Sequence, residues 1–547
     1  MTVGTEAGTV RARILVADAF APEGLEMLQA GADVDVKRGL SEEDLAAALV
    51  EGRYDGLVVR SESKVTATVL GASPLLRVVA RAGVGIDNID VPAATRRGVL
   101  VLNMPTGNIV TTGEHTMSLL CAAVRSIPQA NAALRAGRWE RGPYLGMELS
   151  GKTLGVVGLG RVGTEITRRA QGFGMRVLAY DPYIAPEVAE RLHVTLCPYL
   201  DDMLPRVDIV TVHTPLNDET RGIIGAHELA LLPRGARVVN CARGGIVDEA
   251  ALLAALDSEH IRAAALDVYV GEPIRDPHHP LISHPRVVCT PHLGSATLEA
   301  EVAVAMGTAR ETLAALAGLP AATAVNVPVG GPGAIEDIAP YTALATSLGR
   351  LAVQWDHGPL TQLRVGVTGE LTALDTAPLV AGAIVGILAA VTDERVNIVN
   401  AGLVAAERGL NVEETRSSAV PDGGYRGALH VRLQRDEAHV VELSGVVVHG
   451  QPHLLSINGY RLDVPLSDGE WLVTRHHDRP GMIGAIGQLL GVANVNIGFM
   501  QVGRDEPRGV ALMVVGVDSP VPDEVLASVE ALTPIQSVRR VHVGSRT

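Results

Sequence analysis

Cysteine is nearly absent: Cys121, Cys197, Cys241 and Cys289 are the only thiols in 547 residues, and no two form a C-x-x-C pair. The spacing excludes a disulfide framework and a cysteine zinc site, and it favours a reducing compartment. Lysine is scarcer still, at Lys37, Lys64 and Lys152 among 46 basic side chains, a bias that says little about function. Basic groups are outnumbered by 61 acidic ones, and the net charge of −15 excludes a broad nucleic-acid footprint. An anionic ligand would need a local basic cluster. No apolar run is long enough to cross a bilayer; the longest, Leu379 to Val391, reads as a buried helix. The opening MTVGTEAGTVRAR lacks the apolar centre of a signal peptide. A cytoplasmic protein with no membrane or nucleic-acid partner is expected.

What is present is room for several cores, with 47% hydrophobic residues and length for about three or four domains. From Arg13 to about Asn103, short apolar segments (RILVA, VDV, DGLVV, LRVVAR, VLVLN) alternate with helical ones such as SEEDLAAALVEG. Such alternation predicts a parallel sheet with right-handed crossovers. A long helical stretch follows from about Thr111 to Arg138. A second alternating series then runs through KTLGVVGL, RVLAY, VDIVTVH, ARVVNCA, RAAALDV and RVVCTP. Another long helix is expected from Ser295 to Gly318, and VPVGGPG (Val327 to Gly333) is the clearest linker. The region beyond it mixes helices with strands such as QLRVGVTGEL and HVVELSGVVVHG. The segment from Trp471 reads β-α-β-β-α-β.

Within GVVGLGRVG, Gly158, Gly160 and Gly163 follow an apolar strand and open a helical stretch. The next strand, RVLAY, ends in Asp181. Strand, glycine turn, helix and acid together form the dinucleotide-binding fingerprint. Gly158 permits the turn, Gly160 admits the pyrophosphate to the backbone, and Gly163 lets helix and strand pack. The pyrophosphate would sit at the positive end of the helix. Asp181 would accept from the ribose diol and repel a 2′-phosphate, so NAD is expected over NADP.

Hydride transfer from a hydroxyl carbon needs a base for the hydroxyl proton and a cation for the substrate carboxylate. Three loops after predicted strands offer Arg243 (NCARGGIVDE), Glu272 (LDVYVGEP) and His292 (CTPHLGSAT). An imidazole titrates near neutrality, and a guanidinium grips a carboxylate with two bonds. Spacing alone leaves the alternatives open: a structural histidine, a solvated glutamate, a capping arginine. The adjacent pairs His278–His279 and His476–His477 are not spaced as metal ligands.

RAGVGIDNID, GLGRVG, AYDPY, HTPL, NCARGGIVDE, ALDV–EP and TPHLGS, in this order and spacing, resemble the blocks of the D-2-hydroxyacid dehydrogenase family. Within it the chain resembles the long form that acts on 3-phospho-D-glycerate, over nearly its whole length. The resemblance implies a Rossmann-type NAD domain (109–296) inserted in a flavodoxin-like α/β substrate domain (13–108 and 297–326). An α+β intervening domain (334–468) and a βαββαβ ACT domain (471–547) would follow. It implies His292 as acid/base, Glu272 as its orienting carboxylate and Arg243 as substrate anchor. Contacts to NAD carry over to Val84, Arg161, Val162, Asp181, Thr214, Cys241, Ala242, Arg243, Asp267, His292 and Gly294. Val84 stands where part of the family has threonine, and PHLGSAT where PHLGAST is commoner.

The same resemblance places Arg60 and Arg81 at the substrate. Ser61, Lys64 and Asn108 lie near them on loops, and Arg141 is a position that reaches a neighbouring subunit's site in the family. Together these form the basic pocket a phosphorylated acid requires in an acidic protein. In the ACT-like segment the resemblance implies Asp478, Asn496 and His476 as contacts for an amino-acid effector, expected to be L-serine. Around SINGYRLDV the match to the intervening domain's second anion site weakens, with Tyr460 and His453 at positions expected to be basic. The implied activity is NAD-dependent oxidation of 3-phospho-D-glycerate to 3-phosphohydroxypyruvate in L-serine biosynthesis by a homo-oligomer, dimer or tetramer. The alternatives are a dehydrogenase for another anionic 2-hydroxy acid and a non-enzymatic NAD-sensing regulator.

Overall fold

A computed structural model describes residues 11–319, 321–327, 334–355, 358–421 and 423–544. Most of the expected linker, residues 328–333, lies outside them. The chain divides into two compact units, one of residues 1–19, 26–103 and 308–547, the other of residues 20–25 and 104–307.

In the first unit, β1 (Arg13–Val16), β2 (Asp33–Val36), β3 (Gly56–Val59), β4 (Val78–Arg81) and β5 (Leu100–Leu102) form a parallel sheet of order β2-β1-β3-β4-β5. This is the flavodoxin-like order. Every residue of β3 is buried, as expected of a central strand covered on both faces. Each Val or Leu fully buried in this way contributes about 1.5–3 kcal/mol.

The second unit holds a fully parallel sheet of order β12-β11-β10-β9-β6-β7-β8. Its strands are β6 (Thr153–Val157), β7 (Arg176–Tyr180), β8 (Thr195–Leu196), β9 (Ile209–Val212), β10 (Ala236–Asn240), β11 (Ile261–Leu266) and β12 (Val287–Cys289). The order reverses between β6 and β9, which makes the switch point where open α/β sheets bind ligands. The helical stretch expected from Thr111 to Arg138 is two helices, Ile109–Arg125 and Ile127–Arg135. Ser126 between them adopts a left-handed φ of 49°. Pro128 has no amide to donate back along a continuous helix, so the second segment starts afresh with proline in its first turn.

Also in the first unit, β13 (Gln362–Gly369), β14 (Asn411–Ser417), β15 (Gly427–Gln434), β16 (Val440–Val448), β17 (Gln451–Ile457) and β18 (Tyr460–Pro465) form a six-stranded sheet. The C-terminal β19 (Gly469–His477), β20 (Ile497–Arg504), β21 (Val510–Val517) and β22 (Ile535–Val543) form an antiparallel sheet of order β20-β21-β19-β22. Helices Met482–Val492 and Asp523–Glu530 complete the expected βαββαβ pattern. Strand alternation divides the sheet's two faces. Leu472, Met513 and Val515 pack with the two helices, while Trp471, Val473, Leu512 and Val514 join the core of the six-stranded sheet.

Candidate active site

The glycine turn follows β6 and opens the helix Arg161–Gly172. Each glycine does a different job. Gly158 has φ 90°, and a Cβ there would lie 2.7 Å from the His213 carbonyl oxygen. A Cβ on Gly163 would lie 2.1 Å from the Gly158 oxygen, so only glycine lets helix and turn approach this closely. Gly160 has nothing within 4 Å of its would-be Cβ, and no side chain caps the helix it starts. Helix amides without a side-chain cap among the described residues, beside this open space, suit an anion.

The remaining surroundings of the turn also fit a dinucleotide. The Thr214 hydroxyl is buried with no hydrogen-bond partner among the described residues. Asp181, just after β7, accepts from the Leu159 amide (2.9 Å) and the Tyr183 amide (3.0 Å), which fixes its carboxylate against the turn. Burial pushes the Cys241 thiol up to about 12, so this side chain stays a neutral wall.

Arg243, Glu272 and His292 follow β10, β11 and β12, three adjacent parallel strands, and so share the carboxyl edge of one sheet. Glu272 and His292 are in contact, with 2.6 Å between Oε2 and Nδ1. The other carboxylate oxygen, Oε1, accepts from the Tyr269 amide at 2.7 Å, and the Tyr269 hydroxyl donates to the Leu266 carbonyl at 3.0 Å. Arg243 donates to the Ala242 carbonyl at 2.7 Å. Asn240 shapes that loop, accepting from the Ala242 amide (3.0 Å) and donating to the Arg243 carbonyl (2.9 Å).

His292 sits at φ 56°, a conformation that costs a non-glycine residue about 1–3 kcal/mol and persists only where its surroundings impose it. The buried Asp267 imposes it. Its carbonyl accepts from the His292 amide (2.9 Å), and its carboxylate accepts from the amides of Leu293 (2.7 Å) and Gly294 (2.8 Å) and the Thr290 hydroxyl (2.5 Å). His115 Nε2, from the helix Ile109–Arg125, lies 3.1 Å from the same carboxylate. Burial alone would raise the Asp267 pKa, but the contacts from His115, Thr290 and Leu293 outweigh it and hold the carboxyl below its ordinary range. The family resemblance implies a cofactor contact at Asp267, and the structure adds a second role. Its side chain is fully buried and grips the histidine loop, a role that contacts across more than twenty residues hide from local spacing.

In the first unit, Arg60, Ser61 and Lys64 lie on the loop after β3, and Arg81 ends β4. The Val84 carbonyl accepts from the Asn103 side chain at 2.8 Å. In the second unit, Asn108 starts the helix Ile109–Arg125 without a side-chain cap, and Arg141 precedes the short turn Gly142–Tyr144. In the C-terminal module, Asp478 already pairs with Arg504 (3.1 Å), and Asn496 donates to Asp518 (2.6 Å). His476 is buried, with Nδ1 3.2 Å from the Thr474 hydroxyl. His453 pairs with Asp463 at 3.1 Å, while Tyr460 lines a cavity of about 300 Å³ together with Trp355, Arg475 and Arg539. Asp201, His227 and Glu228 bring three metal-competent atoms within 4.8 Å of one another, a grouping the sequence spacing did not suggest. Glu228 there accepts from the Gly225 amide at 2.9 Å and caps its own helix.

Comparison with known proteins agrees with this layout. Residues 117–294 match the NAD-binding domain of D-isomer-specific 2-hydroxyacid dehydrogenases. Residues 337–458 match the D-3-phosphoglycerate dehydrogenase intervening domain, and residues 471–533 match the ACT domain. The D-3-phosphoglycerate dehydrogenase of Synechocystis is 41% identical over 97% of this chain and 94% of its own length. That of Bacillus subtilis is 38% identical over 97% of this chain and 99% of its own. Among solved structures, an NADPH-dependent glyoxylate/hydroxypyruvate reductase of Sinorhizobium meliloti, crystallised with NADP and malonate, superposes with a TM-score of 0.52 at 31% identity. The superposition covers 58% of this chain and 97% of the reductase. No helix among the described residues is long and apolar enough to cross a membrane. The chain belongs to the D-3-phosphoglycerate dehydrogenase family, NAD(H)-dependent oxidoreductases of the D-isomer-specific 2-hydroxyacid dehydrogenase type.

Proposed function

We propose that the protein oxidises 3-phospho-D-glycerate to 3-phosphohydroxypyruvate with NAD, opening the phosphorylated route to L-serine. The observation that carries this reading is the 2.6 Å contact between Glu272 and His292 Nδ1 at the carboxyl edge of the dinucleotide-type sheet. With Nδ1 turned to Glu272, Nε2 is the nitrogen left to meet the substrate hydroxyl. It takes the hydroxyl proton, and the imidazolium so formed is steadied by the Glu272 carboxylate. NAD, when bound, supplies the hydride acceptor. Arg243 grips the substrate carboxylate with two parallel bonds and polarises the carbonyl as it forms. In the reverse direction His292 returns the proton.

The phosphate falls to Arg60, Ser61, Lys64 and Arg81, and Asn108 and, in a homo-oligomer, a neighbouring subunit's Arg141 are further proposed substrate contacts. The cofactor lies along Gly158, Gly160, Arg161, Val162 and Gly163, with Val84, Thr214, Cys241, Ala242 and Gly294 around it. NAD is preferred over NADP because the Asp181 carboxylate, fixed by two amides, would repel a 2′-phosphate. The domains are 13–108 with 297–326 for substrate, 109–296 for NAD, 334–468 intervening and 471–547 regulatory. L-Serine is the proposed effector, its ammonium displacing Arg504 from Asp478 near Asn496, with the buried His476 supporting that strand.

Initial rates of NADH formation test this reading. 3-Phosphoglycerate with NAD should outpace both D-glycerate with NAD and 3-phosphoglycerate with NADP, and L-serine should lower the rate. Turnover of a different anionic 2-hydroxy acid alone would replace the substrate, and turnover of none would favour a NAD sensor.

A further inference from the structure

The loop that carries Arg60, Ser61 and Lys64 is held by two side chains that contribute nothing obvious of their own. Asp18, just beyond β1, is 2% exposed. One carboxylate oxygen accepts from the amides of Arg60 (2.5 Å) and Ser63 (3.2 Å), and the other accepts from the Ser63 hydroxyl (2.6 Å). The Asn88 amide group donates to the carbonyls of Arg60 and Ser63, both at 2.7 Å. The backbone joins in: the Val65 amide donates to the Asn88 carbonyl (2.8 Å) and the Asp90 amide to the Val65 carbonyl (2.9 Å).

The sheet order explains why these groups meet. β1, β3 and β4 are neighbours, so Asp18, Arg60 and Arg81 stand at three successive carboxyl ends. Asn88 lies in the turn that follows β4 and reaches back to the loop after β3. A buried carboxylate here is costly unless hydrogen-bonded, and it adds negative charge beside a site meant for an anion. Its placement makes sense if geometry matters more than local charge. Fixing the Arg60 and Ser63 amides fixes the direction in which the Arg60 and Lys64 side chains leave the loop.

We propose that Asp18 and Asn88 are positioning residues for phosphate recognition, clamping the Arg60–Lys64 loop so that its cations are aligned before substrate arrives. This rests on the phosphate-pocket reading given above. Without the clamp, each binding event must order the loop, a cost that falls on substrate affinity.

The test uses the full-length enzyme in the reductive direction, with 3-phosphohydroxypyruvate and hydroxypyruvate as paired substrates. Asp18→Ala, Asn88→Ala and Arg60→Ala are compared with the parent, with thermal melting to establish that each is folded. Asp18→Asn stands in should Asp18→Ala fail to fold. Asp18→Ala and Asn88→Ala are expected to raise KM for the phosphorylated substrate by about tenfold or more, with a much smaller change in kcat, in KM for NADH and in KM for hydroxypyruvate. A general loosening of the domain would move both substrates alike, and that result overturns the proposal. If Arg60→Ala raises the phosphorylated-substrate KM while folded Asp18 and Asn88 variants do not, the clamp is wrong and the pocket stands. If Arg60→Ala has no effect, the pocket itself is wrong and the clamp falls with it.

Discussion

Two loops of this molecule are held by the same device, a buried aspartate that collects neighbouring amides, yet the two clamps differ in one respect. Asp267 holds the His292 loop and also faces the imidazole of His115 at 3.1 Å. Asp18 holds the Arg60 loop through two amides and a hydroxyl. The first clamp fixes, through a strained backbone, the residue proposed to carry the proton. The second fixes the exits of side chains proposed to point at an anion. The difference is one further partner: the carboxylate that ties the His292 loop also meets a side-chain imidazole, while the Asp18 carboxylate meets only the amides and hydroxyl of the loop it ties, among the described residues.

The largest effect that could break this comparison is on turnover. His292→Ala should lower kcat by about a thousandfold, the usual scale for a lost acid/base group, in a steady-state assay with saturating NAD. A loss of only a few-fold would remove His292 from the chemistry.

Stability should separate the two clamps next. Asp267→Ala takes the carboxylate from His115 and strands two amides and the Thr290 hydroxyl, more buried donors than Asp18 holds, a change expected to cost about 3 kcal/mol or more. Asp18→Ala strands amides and a hydroxyl alone and should cost about 1–3 kcal/mol. Urea unfolding of both variants checks the order, and equal losses would erase the distinction. The same logic applies inside the glycine turn. Gly163→Ala drives a Cβ to 2.1 Å from the Gly158 oxygen and should destabilise the fold by about 1–3 kcal/mol. Gly160→Ala meets nothing within 4 Å, so melting should be unchanged while KM for NAD rises.

A last effect, confined to acid conditions, is on pH sensitivity. Burial pushes His213, which follows β9, down to about 4. Its folded value lies below the unfolded value of about 6.5, so the unfolded chain binds the extra proton between them. The stability involved is complete above about pH 6.5 and is lost as pH falls toward 4, about 2 kcal/mol of it between pH 7 and 5. His213→Gln should flatten that part of a urea-midpoint profile, and an unchanged slope would assign the acid sensitivity elsewhere.

Much of the fold was legible because it repeats. Apolar segments alternating with helices marked the strands of both parallel sheets, and the glycine turn with Asp181 marked the dinucleotide half. Weakly patterned pieces were not legible. β8 is two residues long, and β14 (NVEETRS) carries little apolar signal at the sheet's edge. The break at Ser126 was written in Pro128 but obscured by helix formers on both sides. Within the site, Glu272 and His292 were found by motif and lie in contact. Asp18, Asn88 and His115 were missed because each acts through tertiary contacts: Asp18 meets the Arg60 loop 42 and 45 residues away, and no local spacing encodes that.

The central claim is a division of labour, with chemistry on the His292 loop and phosphate recognition on the Arg60 loop. The most direct measurement is kcat and KM for 3-phosphoglycerate in His292→Ala and Arg60→Ala, side by side under one set of conditions. The account predicts that His292→Ala loses kcat with KM nearly unchanged, and that Arg60→Ala raises KM by about tenfold or more with most of kcat retained. Both variants changing the same parameter, or Arg60→Ala leaving KM untouched, would contradict it.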